Sequence, residues 1–162
     1  MTWVNDDGLV VKFGTEEGDP GAGGAVRTAG GIHMVELAVT GTAVASTAGT
    51  LLDEHTLIPA NARIEKVEVQ VGTAFTSGGS ATLNVGLVRE DQTTEIDNDG
   101  LVAALALTSI DADGDKVELV QGSTGHGALV GTVLSNAGLV SINYGTAAYT
   151  AGDAKVRIFY SL

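Results

Sequence analysis

The sequence predicts an all-β chain: an antiparallel β-sandwich of jelly-roll type, entered through an extended, glycine-rich N-terminal arm. Apolar residues recur at every second position in run after run, which places them on one side of a strand. Nineteen valines, eighteen threonines and seven isoleucines supply the β-branched side chains that suit a pleated surface. Twenty-three glycines in 162 residues, about twice the usual share, mark frequent turns. No stretch carries the period of an amphipathic helix.

Residues 1–31 read as the arm and 32–162 as the sandwich domain. "GLVVKF" (8–13) is strand-like, and Trp3, the single tryptophan of the chain, precedes it. The following "GTEEGDPGAGGAVRTAGG" (14–31) has too little apolar content to form a core. An apolar patch on a flexible tether either folds back on its own domain or docks on a neighbour. Trp3, Leu9, Val11 and Phe13 are its candidate partner-binding anchors.

In the domain, Val35, Leu37 and Val39 share a face of the first strand. "LIPANARIEKVEVQV" (57–71) opens on a turn set by Pro59 and continues into a strand whose Val67, Val69 and Val71 point inward. Ile64 is out of phase with them, which requires a bulge near Glu65 and Lys66. Leu83, Val85 and Leu87 follow after a Gly78-Gly79 turn, so these two strands are expected to form a hairpin. "TEIDNDG" (94–100) reads as a polar turn, and "LVAALALTSI" (101–110) as a strand despite its alanines. "DADGD" (111–115) is another turn. Strands are expected at 116–120, 127–134, 139–144 and 154–160; in the last, Val156, Ile158 and Tyr160 share one face.

Charge narrows the function. Twenty acidic residues face eight basic ones, a formal net charge of −12. The cations are dispersed along the sequence, so a nucleic-acid partner is not expected. Without cysteine there are no disulfides and no thiolate metal sites. No run approaches the ~18 apolar residues of a membrane span, and the first residues lack the basic and apolar regions of a secretion signal. Nor is there a phosphate-binding loop, a dinucleotide fingerprint, a Gly-x-Ser-x-Gly elbow or a His-Glu-x-x-His helix. His33, His55 and His126 have no nucleophile marked beside them. No catalytic residue and no enzyme activity is expected. The alternating carboxylates Asp111, Asp113 and Asp115 are the candidate calcium ligands, although Gly122 stands where an EF-hand loop has its closing glutamate. Glu95, Asp97 and Asp99 form a second acidic turn. No other cofactor is implied.

Three blocks resemble structural proteins of tailed-bacteriophage virions: "DGLVVKFGTEE" (7–17), "LIPANARIEKVEVQVGTAFTSGGSATLNVGLV" (57–88) and "TAGDAKVRIFYSL" (150–162). The resemblance implies a head decoration or cement protein. Such a protein is made in the host cytoplasm, binds the major capsid protein on the capsid exterior and stabilises the shell, most often as a homotrimer. The alternative it leaves is a receptor- or glycan-binding module of a head fibre or tail, for which Tyr144 and Tyr149 would be a small aromatic platform.

Overall fold

The computed structural model describes residues 32–162 in full and, of the first thirty-one, two short strands, β1 (Thr2–Val4) and β2 (Val10–Lys12). The chain divides into two units, Met1–Gly31 and Ile32–Leu162. In the first, β1 and β2 pair antiparallel with Trp3 opposite Val11. Leu9, Phe13 and the glycine-rich stretch lie outside the described residues.

The second unit is a sandwich of two four-stranded antiparallel sheets. Its strands are β3 (His33–Thr40), β4 (Leu57–Ile58), β5 (Arg63–Ser77), β6 (Thr82–Val88), β7 (Glu95–Ala106), β8 (Lys116–Leu119), β9 (Gly138–Gly145) and β10 (Tyr149–Ser161). One sheet has the order β3-β10-β5-β8 and the other β4-β9-β6-β7. The first strand pairs the last, the second the seventh, the third the sixth and the fourth the fifth. The chain of this unit is therefore one long hairpin, with its tip between β6 and β7, rolled over on itself; that is the jelly roll.

The alternating faces meet between the sheets. Leu37, Val67, Val69, Leu83, Val85, Leu87, Val156 and Ile158 are all fully buried, as their period of two requires. Ile64 is fully buried too, and the reason is the expected bulge. On β10, Phe159 pairs Lys66 while the next residue, Tyr160, pairs Ile64. Glu65 is thus the extra residue, and it brings Ile64 back into phase with the valines.

Three local expectations are corrected. β5 and β6 do not form a hairpin: they belong to opposite sheets, and the Gly78-Gly79 connection passes from one to the other. Turn residues in sequence cannot tell a hairpin from such a crossing, because both reverse the chain. "EIDNDG" is not a turn but the first half of β7. Its polar residues sit in an irregular segment: β6 advances from Val85 to Leu87 while β7 moves from Val102 to Asp97. The excess residues fold over Gly86, where a Cβ would stand 2.0 Å from the Asp97 carbonyl oxygen, so only glycine fits beneath them. Finally, 127–134 is not a strand. Gly127 and Leu129 donate to Leu101 and Gly100 on β7, whereas Gly131 and Leu134 donate to Ile64 and Ala62. A segment that divides its hydrogen bonds between two sheets stitches them together; its Val130 and Leu134 close one end of the core.

Candidate interaction face

The outer face of the β3-β10-β5-β8 sheet holds most of the cations of the domain. The strand period points Lys66, Glu68 and Gln70 of β5 away from the core, with Glu36 of β3, Lys155 and Arg157 of β10, and Lys116 and Glu118 of β8. Arg157 is the hub. Its Nε donates to Glu36 Oε2 at 2.8 Å, and one terminal nitrogen donates to Glu68 Oε1 at 2.9 Å and to Gln70 Oε1 at 2.8 Å. Lys155 lies 2.9 Å from Glu36 Oε1, Lys116 2.9 Å from Glu68 Oε2 and Lys66 3.4 Å from Glu118. The Lys66 ammonium also sits 4.7 Å from the centre of the Phe159 ring, within range of a cation–π contact. An ion-pair network thus spans all four strands.

Register explains why distant residues meet. Glu36 faces Arg157, Arg157 faces Glu68, and Glu68 faces Glu118 in one row across the sheet. Glu68 is only 7% exposed, covered by the cations around it. The Lys116 hydrogen bond and, behind it, the Arg157 one hold its carboxyl below the ordinary 4.5 against the opposing effect of burial. Glu36 is lowered by Arg157 and then Lys155. Arg157 is raised by Glu36 and Glu68.

The cations scattered in sequence are therefore gathered in space, a correction to the reading from sequence. Residues 32–162 contain six Lys or Arg and fifteen Asp or Glu. Five of the six cations, Arg63, Lys66, Lys116, Lys155 and Arg157, lie on this face. So do five acids: Glu36, Glu65, Glu68, Glu118 and Asp153, the last with its carboxylate over Gly72. The face is neutral. Ten acids and Arg89 alone remain for the rest of the domain, which carries its whole net charge of −9.

The residues singled out in the sequence fall elsewhere. Asp113 Oδ1 accepts from the Ala74 N–H at 2.7 Å, and Asp115 Oδ2 accepts from Ala112 at 3.0 Å; Asp111 is exposed. Asp113 thus clamps the turn onto β5 and Asp115 closes the turn on itself, and among the described residues no group of three or more His, Asp or Glu is placed to hold a metal ion. His33 stacks on Tyr160, His55 contacts Asp53, and His126 contacts the Ser123 carbonyl while the Ser123 hydroxyl donates to Val120. Tyr149 is a core residue, edge-on to Phe75 and Tyr144, so the two tyrosines do not form an exposed platform. The ion-pair face itself escaped the sequence reading; its signal was the alternation of charged residues on the polar side of 63–71 and 154–160.

Solved structures share this architecture. A chain in the acidic stable capsid structure of Helicobacter pylori bacteriophage KHP30 superposes with a TM-score of 0.51 at 13% identity, over 81% of this chain and 87% of that one. A chain in the capsid of Ralstonia phage GP4 superposes with a TM-score of 0.52 at 21% identity, over 84% and 88%. The fold is one found in phage capsids. No protein-family model matches the sequence, and neither does any curated protein. At these identities the likeness is one of fold, and it extends through nearly the full length of both partners.

Proposed function

We propose that the chain is a structural component of a bacteriophage virion, and specifically a decoration protein that binds the capsid exterior and stabilises the shell as a symmetric assembly of copies. The observation that carries this reading is the two-way coverage. The jelly roll of this chain corresponds to almost the whole of a chain in two phage capsids, not to a module within something larger. A ligand that binds only the assembled shell shifts the assembly equilibrium toward it. A rigid block of two packed sheets is suited to that task, because it loses little conformational freedom on docking.

The fastening element is residues 1–31, with Trp3, Leu9, Val11 and Phe13 as anchors. Co-sedimentation with purified empty capsids of the phage that encodes the chain tests both statements. The full chain is expected to pellet with capsids and raise their disruption temperature. The 32–162 fragment is expected to stay in the supernatant. Failure of the full chain to pellet, or binding only to host cells or glycans, would overturn the decoration role; full retention of the fragment would overturn the role of the arm.

A further inference from the structure

The neutral sheet face fits one partner in particular. We propose that the outer face of the β3-β10-β5-β8 sheet is the contact through which copies of this chain associate. The proposal rests on the decoration reading only for where the assembly is used.

Electrostatics selects the face. The rest of the described surface carries the net −9 of each domain, and like charges across an interface are unfavourable. Through this face two copies meet with no net charge. The pattern is also self-complementary. The row Glu36, Arg157, Glu68 and Glu118 is acidic on balance, and the next row, Lys155, Gln70 and Lys116 with Ala38, is basic. Rows two residues apart are separated by about 7 Å, so a second copy offset by one row sets acid against base along the contact. Because the charged side chains are already held by their neighbours, little rotamer freedom remains to be lost on docking.

One end of the same sheet supplies apolar anchors. Met34 is paired with Phe159, next to Lys66, in the row beyond Glu36, and it is 50% exposed. Ile32 and Leu162, at the same end, are 71% and 60% exposed. These are three of the six exposed large hydrophobic residues of the domain. An apolar corner beside a neutral polar field has the composition of an interface core and its rim.

Light scattering after size exclusion, over a range of protein concentrations, tests the proposal. The wild-type chain is expected to have the mass of a dimer that dissociates on dilution. Met34→Glu, which lies outside the ion-pair network, is expected to weaken association by more than about tenfold, the scale of a like-charge clash at a contact. Lys155→Glu with Lys116→Glu should act in the same direction, with circular dichroism confirming that the domain is folded. Glu54→Lys, on the exposed β3–β4 loop, should leave the mass unchanged. A wild-type monomer at every concentration, or an oligomer indifferent to Met34→Glu and the double lysine variant, would overturn the proposal. A wild-type monomer that still pellets with capsids would sink this contact and leave decoration standing. A face-dependent oligomer that ignores capsids would do the reverse.

Discussion

Glu68 shows how a single side chain can be polar in pattern yet buried in fact. Its position in "EKVEVQV" marks it as outward-facing, but Arg157, Lys116 and Lys66 close over it. Glu68→Gln keeps the shape and removes the charge that these three cations share; a loss of about 1–2 kcal/mol is expected in a urea melt at neutral pH, the scale of hydrogen bonds to charged groups. The pH dependence follows from the lowered carboxyls of Glu68 and Glu36. Their contribution is complete above the unfolded-state value of about 4.5 and is lost as pH falls through the lower folded values. The wild type should therefore lose stability on acidification below that point more steeply than Glu68→Gln. Tyr149 is the opposite case. Its hydroxyl is buried without a partner among the described residues, and burial raises its pKa. Since an unpaired buried hydroxyl costs free energy, Tyr149→Phe should leave the melting temperature unchanged or raise it. A clear drop would show that the hydroxyl is satisfied.

Individual strands depart from regularity where the pleat must be re-aimed. Glu65 does this on β5, and its bulge was legible because Ile64 broke the alternation of three valines. On β10 the registers shift between Tyr149 and Ala151 and again before Asp153. Gly152 sits in that stretch at φ +121°, and a Cβ there would lie 2.5 Å from the Phe75 ring and 2.7 Å from the Phe75 Cα. Gly152→Ala adds strain and overlap together and should cost about 2–4 kcal/mol in a chemical melt; a loss below 1 kcal/mol would contradict the geometry. On β7, Asp99 has a raised pKa from burial and then from Asp97. Its ionised form opposes folding, so stability falls as pH rises through the raised value. Asp99→Asn should raise the melting temperature at neutral pH and lose that advantage in acid, where Asp99 is protonated. Neither the β10 shifts nor the β7 excess was legible, because which strand lies opposite is not written in the segment itself.

The whole molecule divides its surface by charge while its core unites two sheets. Among the described residues, the whole of that core belongs to Ile32–Leu162, so the fragment 32–162 should fold alone and melt cooperatively within a few degrees of the full chain. A non-cooperative melt would show that residues 1–31 complete the core.

The sequence alone determined the all-β class, the inward faces of β3, β5, β6 and β10, and the Glu65 bulge. All of these depend on side-chain period, a local property that each segment carries within itself. It also determined the acidity of the chain and the absence of thiol chemistry. Only the tertiary structure decided which strands are neighbours, and with that it settled everything that crosses between them. The supposed β5–β6 hairpin became a sheet-to-sheet connection, and an apolar run became a seam between the sheets. Five cations dispersed over 95 residues became one neutral face, because strand pairing brings residues 36, 68, 118 and 157 within ion-pair or register contact regardless of their separation along the chain.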